Sequence, residues 1–287
     1  MFSSQFKHTL ILLRFPFSLF LMPLFFWALS RTETLDFWRS LSVFAILHGL
    51  VYPSSNGYNS LIDQDTEAIG GLEKPPPPPP HLGAVTLGLD GLALLWGFYL
   101  APYFGLFIGF LILMSRLYSA PWPRLKQYPI FSFLLVSLLQ GAFTFLGIRY
   151  GLSLELTTFS LSDAYAAFAC SALVAAAYPL SQIFQHAEDA KRGDLTLSRY
   201  LGYNGTFLVS EVLLLCAHAG VLLSSTRLQY WIFAICLLPT TLYLLHWHRR
   251  VLHDSEAASF GHSLRLNICW ALGLNLCFGI YGLQRLF

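Results

Sequence analysis

Nine apolar runs, each close to the length needed to cross a hydrocarbon layer, fix what this chain can become. They cover residues 10–30, 38–57, 83–100, 102–118, 129–148, 163–185, 201–224, 228–247 and 266–286, and about 20 residues of helix span a core of roughly 30 Å. Inside a bilayer only helices and closed barrels satisfy their own backbone, and runs of this length without alternation read as helices. Only 11% of the 287 residues are charged and 55% are hydrophobic, where a soluble domain carries about 25% charged. The sequence therefore predicts a polytopic membrane protein folded as one helical bundle over 1–287. The third and fourth runs are parted only by Ala101 and Pro102, and the proline cannot continue a helix from within.

A formal net charge of +2 gives no basis for a nucleic-acid partner, but the positions of the basic residues carry information. With nine spans and the amino terminus inside, that terminus and the even-numbered connections hold Lys7, Arg14, Lys74, Arg116, Arg124, Lys126, Lys191, Arg192, Arg199, Arg249, Arg250 and Arg265. The other side holds Arg31, Arg39, Arg149, Arg227 and Arg285, a split of 12 to 5 that predicts a cytoplasmic amino terminus. The first run is expected to be retained as a helix rather than cleaved as a secretory signal. Cys170, Cys216, Cys236, Cys269 and Cys277 all fall within spans, at no metal-ligand or redox spacing, and are expected to pack.

Two acidic clusters sit at the ends of spans and, on this topology, on the cytoplasmic side. In the first, Asn59, Asp63 and Glu67 recur every four residues, which on a continuous helix puts them on one face. In the second, Gln185 and Asp189 repeat the spacing, followed by Lys191, Arg192, Gly193 and Asp194. Crowded carboxylates repel unless a multivalent cation lies between them. Hard oxygen donors suit Mg²⁺, which tends to complete its shell with substrate phosphate oxygens, so a diphosphate is the expected further ligand. Asp65, Glu188 and Asp194 point elsewhere on ideal helices and are expected to be peripheral or solvated. Arg124 and Lys126, in the stretch from Arg116 to Lys126, and Lys191 with Arg192 offer cations for phosphate oxygens.

Between the clusters, Gly70 and Gly71 lead into Pro75 to Pro80, so residues 68–82 form a Gly/Pro-rich cytoplasmic loop with a stiff polyproline segment. An acidic motif after the second span and another after the sixth suggest a faint duplication of four-helix units with a ninth helix appended. Of the ionisable residues at or near membrane depth, Asp90, Glu211, His48 and His218, Asp90 and Glu211 are expected to make interhelical hydrogen bonds and His48 to pack, while His246 to His253 are expected to form a basic interfacial end.

These motifs resemble those of the UbiA superfamily of intramembrane prenyltransferases. Asn59-Ser60-x-x-Asp63-x-x-x-Glu67 is similar to its Asn-Asp-x-x-Asp-x-x-x-Asp signature, and Gln185-x-x-x-Asp189-x-x-x-Gly193, followed by Leu195-Thr196-Leu197, is similar to its Asp-x-x-x-Asp-x-x-x-Gly signature. The segment from Tyr118 to Lys126 resembles the family's basic, tyrosine-containing stretch after the fourth helix. Ser60, Glu67 and Gln185 each stand where the family has Asp. The resemblance implies an all-α bundle of nine transmembrane helices. It implies Asn59, Asp63, Glu67 and Asp189 as Mg²⁺ ligands, with Asp63 and Asp189 essential to catalysis. Arg124, Lys126, Gln185 and Lys191 would contact the substrate. The implied reaction moves a prenyl group from a prenyl diphosphate to a hydrophobic acceptor, of the quinone-precursor or aromatic kind, in a membrane such as the bacterial inner membrane. A terpene cyclase would use the same ionisation without an acceptor. A cation transporter would instead scatter polar residues through the bundle depth around broken helices.

Overall fold

The computed structural model describes residues 2–153 and 160–284, so Arg285, counted above, lies outside the described residues. The fold is all-helical, and among the described residues the sole strand-like pairing is the bridge between Ile69 and Leu72. Helix α1 is interrupted, running Ser4–Phe20 and Met22–Ser30. Then come α2 (37–63), α3 (Leu82–Leu100), α4 (Pro102–Ser119), α5 (Pro129–Ser153), α6 (Leu161–Arg192), α7 (Leu197–Ser224), α8 (Arg227–His253) and α9 (Phe260–Leu283). Among the described residues seven of these are long and apolar enough to cross a membrane, or eight with α1 counted as one span. Helix α2 has the length and completes the nine, but its second half, from Ser54 to Asp63, is rich in polar residues. The chain is an integral, multi-pass membrane protein.

The break between α3 and α4 falls where Pro102 predicts it: Ala101 is extended (φ −168°) and Pro102 opens the next helix. Helix α2 overruns the apolar segment 38–57 and ends only at Asp63, after passing through a wider π turn at Ala45–Val51. Helix α6 outlasts its apolar segment too. Pro179 offers no N–H to the turn before it, and the chain tightens through Pro179–Ser181 and Ile183–Gln185 before a last α turn at His186–Arg192.

The chain gathers into two compact units. The first comprises residues 2–19, 33–125 and 150–153, and the second residues 20–32, 126–149 and 160–284. In the first, α2 packs on α3, α4 and the opening segment of α1, and α3 packs on α4. In the second, α7 lies along α6 and α8, α5 packs on α6, and α9 packs on α8 and on Met22–Ser30. Trp27 is fully buried there, stacked on Phe278 at 4.5 Å.

Apolar burial cannot drive helix association in lipid, so close approach through small residues takes its place. A Cβ on Gly220 of α7 would stand 2.8 Å from Ala169 Cβ, and one on Gly273 of α9 would stand 2.5 Å from the Cys236 carbonyl oxygen. The tightest crossing is α5 on α6, where a Cβ on Gly141 would lie 2.4 Å from Ser171 Cα. Helix propensity favours Gly141→Ala by about 1 kcal/mol, whereas forcing two backbones apart costs about 1–3 kcal/mol. The clash is with backbone and cannot be relieved by a rotamer. Gly141→Ala is expected to lower the unfolding temperature in detergent by about 5 °C, and an unchanged or raised temperature would show that the crossing gives way freely. Outward faces carry the lipid-facing residues, among them Leu87, Leu95, Leu215 and Ile235, all more than 60% exposed.

Candidate active site

Each acidic motif is built within its own unit. In the first, α2 stops at Asp63 because Gln64 turns left-handed (φ 50°, ψ 45°), its N–H bonding back to the Ser60 carbonyl at 3.1 Å. Asn59 and Asp63 are therefore one turn apart on the same face, as their spacing predicts. Glu67 is not on that face, since the helix has ended four residues earlier; it is exposed in the following loop. The same break removes Asp65 from the helix.

Asp63 is deeply set, its side chain 4% exposed. The Asn59 amide donates to Asp63 Oδ2 at 2.7 Å and to Ser119 Oγ at 3.1 Å, tying α2 to the end of α4. Arg124 Nη1 stands 3.3 Å from Asp63 Oδ1. Arg124 is held at φ 47°, a left-handed conformation costing a non-glycine residue about 1 kcal/mol or more. The cation expected to grip phosphate thus already faces the carboxylate expected to hold metal.

Arg14 was counted above only as a topology charge, and it belongs to this environment. At φ 48°, it donates through Nη1 to the Gly70 carbonyl at 3.0 Å and through Nη2 to the Asn56 carbonyl at 3.4 Å, and its charge attracts Asp63 and Asp65. It fastens the turn in which Ile69 and Leu72 exchange backbone hydrogen bonds around Gly71 (φ 77°). The glycine pair is thus a clamped turn. Backbone carbonyl acceptors leave no mark in a sequence, so nothing there betrayed the pairing.

On α3, Asp90 forms the interhelical bonds expected of it. Ser54 Oγ donates to its Oδ1 at 2.6 Å, and Arg116 donates to its Oδ2 from Nε at 3.0 Å and also from Nη2. The Arg116 guanidinium lies 4.2 Å from the Tyr58 ring centre. Arg116, counted as a loop charge, is in fact half of an ion pair between α4 and α3. His48 packs as expected, buried against Phe44 and Tyr52.

In the second unit, Gln185 is not one regular helical turn before Asp189. It caps the short terminal helix from non-helical dihedrals (φ −98°, ψ 3°), after the tight turns that Pro179 imposes. Asp189 is half-buried; Thr196 Oγ1 donates to its Oδ2 at 3.1 Å, and its backbone carbonyl receives the Asp194 N–H at 3.0 Å around left-handed Gly193. Lys126, itself buried, and Arg199 attract Asp189 electrostatically, while Asp194 repels it. Glu188 and Asp194 are buried rather than solvated: Glu188 pairs with Arg192 at 2.5 Å, and the Asp194 carbonyl accepts from Arg199. Lys191 is exposed.

The structure therefore groups Asn59, Asp63 and Arg124 in one unit, and Asp189, Lys126 and Gln185's turn in the other. Among the described residues no three His, Cys, Asp or Glu side chains form a ready metal cluster. Around Asp63 the donors are carboxylate, amide and hydroxyl oxygens. That chemistry fits Mg²⁺, which keeps waters and takes one or two carboxylates with phosphate oxygens rather than an all-protein cage.

Comparison with known proteins places these motifs in a wider setting. The model of the UbiA prenyltransferase family matches residues 19–268. No curated protein matches the sequence. Among solved structures, a UbiA homologue from Archaeoglobus fulgidus bound to DMAPP and Mg²⁺ superposes with a TM-score of 0.67 at 18% identity, covering 96% of this chain and 98% of that one. The same homologue bound to GPP and Mg²⁺ gives 0.67 at 15% identity, over 97% and 99%. A structure described for digeranylgeranylglyceryl phosphate synthase gives 0.63 at 16% identity, over 98% and 99%. At these identities the likeness is one of fold.

Proposed function

Because this chain belongs to the UbiA prenyltransferase family, we propose that it transfers an isoprenyl group from a prenyl diphosphate to a lipid-soluble acceptor, using Mg²⁺. The acceptor is an aromatic or quinone-precursor ring, and both motifs face the cytoplasm from a membrane such as the bacterial inner membrane. The observation that carries the reading is the buried carboxylate of Asp63 held between the Asn59 amide and the Arg124 guanidinium.

The residues divide the work by charge. Asn59, Asp63 and Asp189, with Glu67 from the loop and Gln185 through its carbonyl, would hold Mg²⁺, whose charge would offset that gathering on the departing diphosphate. Arg124 and Lys126 bind diphosphate oxygens that carboxylates repel, with Lys191 at the exposed rim. The allylic carbon–oxygen bond breaks with its electron pair passing to the diphosphate. An electron-rich carbon of the acceptor forms the new bond and then loses a proton. Aromatic residues, 16% of the chain, supply apolar walls and ring faces that exclude water and stabilise the allylic cation.

Binding tests this directly. Purified protein in nanodiscs is expected to retain radiolabelled geranyl diphosphate with Mg²⁺ and release it on adding EDTA. Arg124→Ala is expected to weaken that binding by about 10–100-fold, the worth of a charge-assisted hydrogen bond. Retention indifferent to both EDTA and Arg124→Ala would remove the basis of the reading.

A further inference from the structure

Helices α8 and α9 meet the edge of their apolar runs at the same end of the pair, α8 at Trp247 and α9 at Leu266. Arg250 stands about 4.5 Å beyond the first edge along the helix axis, and Arg265 directly precedes the second. Both guanidiniums therefore sit at headgroup depth. Of the basic residues at this end, His248 turns inward and ties α8 to α7, its Nδ1 2.8 Å from Glu211 Oε1 and its Nε2 2.9 Å from Asn204 Oδ1. The remainder are more open, and several meet in the groove between α8 and α9.

Tyr243, His246 and Arg250 follow one another by three and four residues on α8, and His262 and Arg265 by three on α9, so each set shares a face. Tyr243 Oη lies 2.7 Å from His262 Nδ1 and also bonds to Arg265. The charges that act on His262 are Arg250, Arg265 and His246, all of one sign. Among the described residues neither arginine forms an ion pair. Asp254 and Glu256, the acids of the turn joining the two helices, pair with no cation either; Asp254 instead accepts the Glu256 N–H at 3.0 Å. Gathered cations repel one another, and buried packing holds these in place. The Trp247 indole donates to the Ala257 carbonyl at 2.7 Å and stacks on His262 at 5.9 Å, while Ser263, next to His262, donates to the Leu180 carbonyl at 3.2 Å. The fold thus fixes two arginines side by side and sets no acid against them among the described residues.

We infer that this groove binds the headgroup phosphate of an anionic phospholipid of the phosphatidylglycerol kind. Arg250 and Arg265 donate to its phosphate oxygens, as guanidiniums do. Below them, exposed Leu242 lies one turn from His246, and Ile268 and Leu272 lie one and two turns from Arg265, so acyl chains have an apolar path along both helices. Two arguments select the headgroup. A choline head brings a cation of its own into a group of unopposed cations. A prenyl diphosphate travels with Mg²⁺, which needs carboxylate or phosphate oxygens, and none of these five side chains is a carboxylate. A lipid with one phosphodiester charge and no cation meets both conditions.

Native mass spectrometry of the purified protein, titrated with dioleoyl phosphatidylglycerol or dioleoyl phosphatidylcholine, tests the site. Neither Mg²⁺ nor prenyl diphosphate is present, so the outcome stands apart from that of the proposed reaction. The first phosphatidylglycerol is expected to bind about tenfold more tightly than the first phosphatidylcholine. Arg250→Gln and Arg265→Gln, both at exposed positions, are each expected to weaken phosphatidylglycerol by about fivefold, the worth of one arginine beside anionic lipid, and to leave phosphatidylcholine unchanged. Arg249→Gln removes the same charge from the same end of α8 at an exposed position about 100° round the helix from Arg250, and is expected to alter neither. Thermal unfolding in detergent is the second measurement: phosphatidylglycerol is expected to raise the unfolding temperature of the wild type and of Arg249→Gln, but not that of the Arg250→Gln, Arg265→Gln double variant. Equal affinity for the two lipids would overturn the site. So would a loss in Arg249→Gln as large as in Arg250→Gln, which would reduce these arginines to a diffuse surface charge.

Discussion

Asp63→Asn is expected to lower prenyl transfer by about a thousandfold or more while leaving the protein folded. The substituted amide still offers an oxygen to the Asn59 amide, so the 2.7 Å bond that orders this end of α2 survives. What disappears is the charge that pairs with Arg124 and would hold metal. A thousandfold corresponds to about 4 kcal/mol of transition-state stabilisation, within the several kcal/mol that a catalytic metal contributes. On the proposed function, in which Asp63 and Asp189 would both hold Mg²⁺, Asp189→Asn is expected to have a similar effect. The double variant is then expected to be hardly worse than either single one, as holds for groups that act as a unit. Single-turnover transfer from a radiolabelled prenyl diphosphate, alongside thermal unfolding, measures all three. Wild-type transfer by Asp63→Asn would end the assignment, and multiplicative losses in the double variant would show that the two acids act separately.

Where the sequence was informative and where it was not follows from the kind of interaction involved. Span positions come from apolar length and from Pro102, both local properties, and they survive in the structure. The Asn59–Asp63 pair was legible because one helical turn separates them. Glu67 was not, since the stop at Gln64 depends on a left-handed residue that is not glycine and so carries no compositional warning. Gln185 was misplaced for a related reason: Pro179 tightens the turns before it and removes the four-residue register. Basic residues were the least legible. Arg14, Arg116 and His248 all lie in stretches where a positive charge reads as topology or interface. Each is held by groups between 26 and 56 residues away on other segments. No spacing rule reaches that far.

Arg116→Met is expected to be the most destabilising single change in the first unit, by about 3–5 kcal/mol, the usual cost of leaving a buried charge without its partner. The Arg116 and Asp90 side chains are 17% and 10% exposed and sit on membrane-spanning helices, where water cannot replace the lost donor. Ser54 would remain as a hydrogen-bond partner at 2.6 Å, but a hydroxyl cannot neutralise a carboxylate. Removing both charges is a different matter. Asp90→Leu with Arg116→Met leaves no orphan, and a buried pair is often no more stabilising than apolar residues of similar volume. The double variant is therefore expected to recover most of the loss, and the cycle to report a coupling of at least about 2 kcal/mol. Unfolding in detergent measures the stabilities. The same variants probe the candidate site, because Ser54 and Tyr58 of this network lie on α2 just before Asn59, and Arg116 lies one turn before Ser119, to which Asn59 bonds. If the network braces that bond, Arg116→Met should weaken binding of the prenyl diphosphate even in the fraction that remains folded, and the stabilised double variant should stay weak. Arg116→Met unfolding like the wild type would show instead that Asp90 is charged in name only, already relieved by some other group.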